Sequence, residues 1–596
     1  MHFLRRFYQL LTPAQRRQYL LLQLFFLLVG VIQVVGVGSI APFIALLSRP
    51  DLIESNRYAV WLYELLGANS HREFLAAFAM LLMVLIVVSN SIMALSTLAI
   101  MRFSFQFGAE IQRDIFRGYL YRDFAELSRK NSATLISSIT MGSGRLIYMV
   151  VQPLLNGLSQ GMIVVIITLG LIAYDPVVAV ASALIIGGGY GITFQFVKRR
   201  LSDIGARSMA ASARRQKVLA EALGGLKEVK LLGTIPVFEK LLDESNHELM
   251  MTEAQSGLYS ELPKYALESI ALCGMLGLGV YLLAGSMAST NIVATLSLYA
   301  MAGYRLLPSA QSLFKCISQI RSNANIMDTL APEILAGRRA KSMLLDPAHD
   351  PFPVGAIRFS NVSYTYPESD SPALSNVSFT APARSITAFV GASGAGKSTA
   401  ADLVLGLLSP SVGVISSDGQ DISGGLPNWQ RGIGYVPQSI FLMDDTIAAN
   451  ICFGSGLAPD MLKVMNAARL ANLDGFVGTL PEGFNYRVGE RGALLSGGQR
   501  QRIGIARALY HDPRVLVFDE ATSALDGATE LEINQTINRL KRSKTVIVIA
   551  HRLTSIKAAD HLVVFESGQV TAEGDFETVT TRSDSLKHLL GEVANG

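Results

Sequence analysis

The sequence predicts a multidomain chain, an all-α polytopic membrane domain followed by a soluble α/β domain. Three observations carry this. At 596 residues the chain is too long for one ordinary domain. Half of it is hydrophobic and only 16% is charged, but the average conceals a split: long apolar runs fill the part before about 325, and a mixed, soluble composition follows about 355. In the later part the apolar run Ile386–Val390 leads into Gly391-Ala-Ser393-Gly394-Ala-Gly396-Lys397-Ser398-Thr399 and then Ala400–Leu408. Strand, glycine-rich turn, Lys-Ser/Thr and helix is the layout of a phosphate-binding loop. The division that follows is a membrane domain at 1–328, a polar, turn-rich linker at 329–355 and the α/β domain at 356–596.

The membrane elements come in order. Thr12-Pro13-Ala14-Gln15 reads as an N-cap with proline at the first helical position, on a basic turn suited to a membrane surface. Residues 20–48 are nearly free of charge and can cross about 30 Å of hydrocarbon. Arg57–Leu66 carries aromatics at helical spacing, either as an interfacial helix or as a loop helix packed on its neighbours. Glu73–Arg122 contains no proline; as one helix it would run roughly 70 Å, so half projects into water. The pattern recurs at about 147–173, a turn at Tyr174-Asp175-Pro176, a run from Val177 to the basic Lys198-Arg199-Arg200, and runs at about 262–283 and 292–315. That makes six long transmembrane helices in a 2+2+2 layout.

Lysine and arginine set the orientation. Arg5, Arg6, Arg16 and Arg17 precede the first span, and further clusters lie between spans two and three and between four and five, whereas 174–176 and 284–291 carry none. The N-terminus, both projections and the α/β domain are therefore expected on the cytoplasmic side. No cleavable signal peptide is read at the N-terminus. The two cytoplasmic tips, about 119–132 and 213–235, are read as coupling regions that dock into a soluble domain, because projections of this length need a partner to offset their ordering entropy. Arg102, Lys264 and Arg305 lie in or near apolar stretches, where charge is costly. They either line a pathway for an anionic substrate, or snorkel or pair with an acid such as Glu268. Cys273, Cys316 and Cys452 are scattered and form neither a disulfide framework nor a metal spacing.

In the second half, backbone N–H groups of the glycine loop and the following helix N-terminus suit phosphate oxygens, Lys397 reaches the β/γ-phosphates and Ser398 can hold Mg²⁺. Val515–Phe518 is a buried strand ending in Asp519 and Glu520, the first placed to hold Mg²⁺ and the second to polarise water. Tyr366 can stack on adenine or serve as a strand core residue. Gln438 follows a strand in a loop. Ser496-Gly497-Gly498-Gln499 opens a basic helix, a second anion site, and His551 ends an apolar strand within reach of a γ-phosphate.

Taken together, residues 356–590 resemble the nucleotide-binding domain of an ATP-binding cassette (ABC) transporter. The matching motifs are the Walker A loop (391–399), the Q-loop (Gln438), the signature Leu495–Gln499, Walker B (515–520), the D-loop Ser523–Asp526 and the switch His551. Tyr366 matches the adenine-stacking position, and Val488–Arg491 resembles a cross-contact segment of exporters. The fused 2+2+2 membrane domain resembles the exporter class, so the fold class is an exporter-type membrane domain plus an α/β P-loop ATPase domain of the ABC class. The resemblance implies ATP and Mg²⁺ as cofactors, with Ser398, Gln438 and Asp519 toward the metal. It implies Glu520, His551 and Gln438 in catalysis, and Asp526 with the signature at the nucleotide. It further implies a homodimer with two composite sites. Nucleic acid is not among the expected partners, since six spans argue against a soluble cassette ATPase.

Within the exporters the chain resembles the bacterial lipid-linked oligosaccharide flippases. The matching stretches are Val35–Ile44 in the first span, Glu221–Lys230 at the second tip, Leu262-Pro263-Lys264-Tyr265 and Tyr304-Arg305-Leu-Leu-Pro308. The branch implies a polyprenyl-diphosphate-linked glycan moved from the inner to the outer leaflet of the bacterial cytoplasmic membrane, with Lys264 and Arg305 facing the diphosphate. Lys264 stands where the branch carries Arg, which keeps the charge and loses the bidentate geometry. The alternative is an exporter of other lipids or hydrophobic drugs; a peptide exporter is disfavoured because no Cys/His peptidase precedes the spans.

Overall fold

The computed structural model describes residues 2–48, 52–174, 176–284, 289–343, 352–367, 369–454, 458–520, 527–550 and 552–582. The chain forms two compact units: Met1–Tyr121 with Lys130–Met343, and Arg122–Arg129 with Leu344–Gly596.

The first unit is helical. A short helix, His2–Leu10, precedes Pro13–Gly38. Thr12 and Gln15 close a capping box, with the Thr12 N–H donating to Gln15 Oε1 at 2.9 Å and the Gln15 N–H to Thr12 Oγ1 at 3.4 Å. The first span, expected as one run over 20–48, is divided: Pro13–Gly38 ends and Ile40–Ser48 begins across Ser39. Pro42 has no N–H to give the Gly38 carbonyl, and Gly36 and Gly38 are weak helix formers, so the break falls there. Arg57–Leu65 is helical, capped by Asn56, whose side chain accepts from the Tyr58 N–H. It buries Ala59 in a cluster with Phe74, Phe78 and Leu82 and leaves Tyr58 and Trp61 exposed.

His71–Leu120 is a single helix of 50 residues capped by Ser70. The next begins at Ser132, earlier than the apolar run suggested, and reaches Tyr174 through two wider π-helical turns, Ser138–Gly142 and Ile147–Val151. The second turn runs up to Pro153, which cannot donate to the preceding turn, and the widening accommodates it. Pro176–Gly224, Ile235–Ala284 and Ser289–Asn323 complete the six long helices. Among the described residues, Pro13–Gly36, His71–Leu120 and Thr134–Ala173 are long and apolar enough to cross a bilayer. The polar linker expected from residue 329 is instead helical as far as Met343, in the helix Asn325–Met343. This helix packs on His71–Leu120 at almost backbone contact: a Cβ added at Gly337 would lie 1.7 Å from the Asp114 carbonyl oxygen, and one at Gly118 2.9 Å from that of Glu333. Arg338 secures the crossing, donating to Asp114 Oδ2 at 2.8 Å and to the Leu10 carbonyl at 2.6 Å.

The second unit holds two sheets. Strands β1 (Ile357–Tyr364), β2 (Leu374–Ala381), β4 (Val412–Ser417) and β5 (Gln420–Asp421) form an antiparallel sheet in the order β2-β1-β4-β5. Strands β3 (Ile386–Val390), β6 (Ile433–Val436), β7 (Val515–Asp519), β8 (Thr545–Ile549), β9 (His561–Glu566) and β10 (Gln569–Gly574) form the other, in the order β10-β9-β3-β8-β7-β6. The strands from β9 to β6 pair in parallel. Those at the centre are buried on both faces, which is why β3 and β8 read as runs that are apolar but for one threonine each. Because neighbouring strands run the same way, the glycine loop after β3, Asp519 at the end of β7 and the segment after β6 emerge at one edge, where α/β sheets bind ligands.

The helix crossing supplies a test. Gly337→Val forces backbone apart at Asp114 and should lower stability by about 1–3 kcal/mol. The thermal midpoint of the purified protein should fall, and an unchanged midpoint would refute the close approach.

Candidate functional site

The site is built on the glycine loop. Gly391, Gly394 and Gly396 have φ of +151°, +80° and +106°, and a Cβ at Gly391 would meet the Phe565 carbonyl oxygen at 2.2 Å. Only glycine allows this backbone to curl against β9 and open its N–H groups outward. Lys397 begins the helix Lys397–Val404; its ammonium is buried and donates to the carbonyls of Gly391 at 2.7 Å and Ala392 at 2.8 Å. Burial pulls its pKa down, and the charges of Glu520 and Asp519 oppose that fall. Ser393 and Ser398 are exposed at the rim, while Thr399 is buried and its Oγ1 lies 3.2 Å from the Tyr366 hydroxyl.

Asp519 ends β7 and accepts from the Tyr435 hydroxyl at 3.4 Å. Glu520 follows at φ +46°, a strained conformation for a residue with a Cβ and one that recurs at functional sites. Its Oε2 accepts from the Gln438 side-chain N–H at 2.6 Å. The fold therefore brings together Lys397, the adjacent Asp519 and Glu520, and Gln438 from three separate stretches. Their donors fit Mg²⁺: the Ser398 hydroxyl, the Asp519 carboxylate and the Gln438 amide oxygen are hard oxygen ligands, and two carboxylates outweigh one lysine. Ser496 caps the helix Gly497–Leu509 in a capping box, its Oγ accepting from the Gln499 N–H at 3.2 Å while Gln499 Oε1 accepts from the Ser496 N–H at 2.8 Å. Gly497 is exposed and Gly498 half-buried, so this helix start presents N–H groups outward. Asp526 and His551 lie outside the described residues. Flanking the latter, buried Glu530 accepts from Arg552 and from the Thr554 hydroxyl.

Three contributors were not singled out from the sequence. Asp402, one turn along the loop's helix, has its carboxyl pushed up to about 6 by burial and then by the Asp519 charge. Burial, with Asp519 beside it, also raises the Tyr435 hydroxyl. Arg507 ends the helix Gly497–Leu509, donates to the carbonyls of Asn450 at 2.8 Å and Phe441 at 2.7 Å, and is lowered to about 10 by burial. It ties that helix to the stretch after Gln438. A polar residue in an otherwise apolar helix stripe was the available signal for Asp402; for Arg507 it was the basic last turn.

The three membrane cations have different surroundings. Arg305 donates to Asn90 Oδ1 at 2.7 Å, and Arg102 is exposed. Lys264 lines a cavity of about 220 Å³ with Ser260, Glu261, Gln311, Ser312 and Lys315, among others. There Lys315 pairs with Glu261 at 2.7 Å, while Glu268 accepts from Gln311 at 3.3 Å rather than from either cation.

A family model described as an ABC transporter matches residues 374–523, and one described as the ABC transporter transmembrane region matches residues 52–304. The chain is 30% identical over 481 residues to an ATP-dependent lipid A-core flippase of Aliivibrio fischeri, covering 80% of this chain and 82% of that protein. It is 34% identical over 432 residues to ABC transporter B family member 14 of Arabidopsis thaliana, covering 71% of this chain and 33% of the plant protein. A solved bacterial Atm1-family ABC exporter with ATP bound superposes with a TM-score of 0.78 at 23% identity, over 98% of this chain and 99% of the other, which shows the shared fold.

Asp402 gives a pH dependence. Its folded pKa stands above the ordinary 3.8, so its protonated form contributes stability that is complete below about pH 4 and lost as pH rises through about 6. Asp402→Asn stays neutral and should flatten the decline of the thermal midpoint between about pH 4 and 6. The same slope in both proteins would contradict the assignment.

Proposed function

This chain belongs to the ABC transporters, carrying a transmembrane region and an ATP-binding, ATP-hydrolysing cassette in one polypeptide, and from that premise we propose that it flips a lipid-linked oligosaccharide. Its membrane residence and the coupling of ATP hydrolysis to transport follow from the family. The observation that carries the finer reading is the cavity at Lys264. Two ammonium groups, an amide and two hydroxyls surround a single carboxylate there, a donor-rich setting suited to a diphosphate headgroup on a polyprenyl chain. Arg305 adds a further cation in the same unit. The Aliivibrio relative, an ATP-dependent lipid A-core flippase, supports movement of a glycolipid. The flippase resemblance supports movement from the inner to the outer leaflet of the bacterial cytoplasmic membrane, and the basic clusters support a cytoplasmic N-terminus and cassette.

In the cassette, the loop N–H groups and Lys397 hold the ATP phosphates, and Tyr366 stacks on adenine. Glu520, oriented by the Gln438 amide, takes a proton from the attacking water. Ser398, Asp519 and Gln438 would hold Mg²⁺, which would supply charge neutralisation on the phosphates. One chain has one glycine loop and one Ser496–Gln499 segment, so the reading is a homodimer in which each loop faces the partner's signature, with Asp526 and His551 beside the nucleotide. At the second tip, Leu223, Leu226, Leu231 and Leu232 are all exposed, an apolar set that supports docking on the second copy.

Reconstituted protein should move a labelled undecaprenyl-diphosphate oligosaccharide between leaflets when given ATP. Glu520→Gln should bind ATP and slow hydrolysis about 10²- to 10⁴-fold, stopping the movement; near-normal turnover would remove Glu520 as the base. Replacing Lys264 and Lys315 together by Ala should cut flipping of the diphosphate lipid and spare export of an uncharged amphiphile. ATP hydrolysis without any movement of the glycolipid would defeat the substrate assignment.

A further inference from the structure

The segment Arg122–Arg129 belongs to the cassette's compact unit, although the chain on both sides of it belongs to the membrane unit. Its short helix, Phe124–Leu127, buries Ala125 in the core cluster that holds Phe359 and Tyr364, with Tyr366 packed against that cluster. Two residues further on, the Arg129 guanidinium lies over the Tyr366 ring, 5.5 Å from its centroid. The same guanidinium donates to the Pro367 carbonyl. Tyr366 is also held at its hydroxyl by Thr399 Oγ1, 3.2 Å away, and meets Tyr364 edge to face at 4.9 Å.

We propose that Arg129 is a positioning residue for the nucleotide base: it fixes the Tyr366 ring on which adenine stacks and so links base binding to the seating of segment 122–129. The inference rests on the reading of Tyr366 as the adenine platform. A cation over an aromatic face attracts the ring electrostatically, and the additional bond to Pro367 keeps the guanidinium in register with it. With the hydroxyl tied to the helix of the glycine loop, the ring is restrained before the base arrives, so less ordering is lost on binding. Linkage then runs both ways. If seating the segment favours base binding, base binding favours seating the segment by the same factor. The base itself, and not only the triphosphate, would therefore be sensed by the segment that joins two helices of the membrane unit.

The test uses the full-length protein in detergent with two probes, Mg-ATP and inorganic tripolyphosphate, which shares the phosphates and lacks the base. Arg129→Ala should weaken Mg-ATP about two- to fivefold, the size of an exposed cation–π contact, and leave tripolyphosphate unchanged; Arg129→Lys should recover most of the loss. Mg-ATP, and not tripolyphosphate, should slow amide exchange across 122–129 in the unmodified protein, and Arg129→Ala should abolish that difference. Equal weakening of both probes, or none, would overturn the inference. Tyr366→Ala separates the two levels. If it lowers the ATP-to-tripolyphosphate affinity ratio while Arg129→Ala does not, the inference falls alone. If Tyr366→Ala leaves the ratio intact, the platform reading falls and the inference with it.

Discussion

The buried ammonium of Lys397 is the interaction on which the cassette's chemistry depends. It is held by two carbonyls of its own loop and faces Asp519 and Glu520, so a positive charge is fixed where phosphate oxygens would come and a negative pair is fixed beyond it. Desolvation disfavours the charged form of Lys397, and the two carboxylates oppose that effect. The parallel sheet makes the arrangement possible: parallel strands of one sheet deliver the loop, the carboxylate pair and Gln438 to one edge, and Glu520 sits there at a strained positive φ.

The membrane unit is governed by a different constraint, the satisfaction of backbone groups at interruptions of long helices. Pro42, Pro153 and Pro308 each remove a donor. The helix responds by breaking at Ser39 and by widening into π turns before Pro153. At the Gly118–Gly337 crossing the opposite device is used, absence of side chains, so that Arg338 can reach across to Asp114 and Leu10. Two of the three cations in the apolar part lie beside groups of matching chemistry, Asn90 for Arg305 and the Glu261–Lys315 pair beside Lys264, while Arg102 is exposed.

Local chemistry was legible in the sequence and long-range pairing was not. Gly391–Thr399, Asp519–Glu520 and Ser496–Gln499 announce themselves because each needs particular residue types at adjacent positions. The helix His71–Leu120 is equally plain from its composition. What depends on approach between distant residues is invisible at that level. Nothing near Asp402 forecasts its proximity to Asp519, and nothing near Gly337 forecasts the Asp114 carbonyl. The polar stretch after 329 reads as a linker because its charges satisfy a loop pattern, yet Asn325–Met343 is helical, since charges on an exposed helix face cost nothing. Likewise Arg129 reads as one of several cytoplasmic cations; its place over Tyr366 comes only from the docked segment.

The central claim is that Gly391–Thr399 is half of an ATP site and that Ser496–Gln499 of a second copy is the other half. The most direct measurement places cysteine at Ser393 and at Ser496, with Cys273, Cys316 and Cys452 replaced by Ser, in the Glu520→Gln background. With ATP present, mild oxidation should give a disulfide-linked species of twice the chain mass, and omission of ATP should greatly reduce it. A bond formed only within single chains, or one indifferent to ATP, would contradict the account.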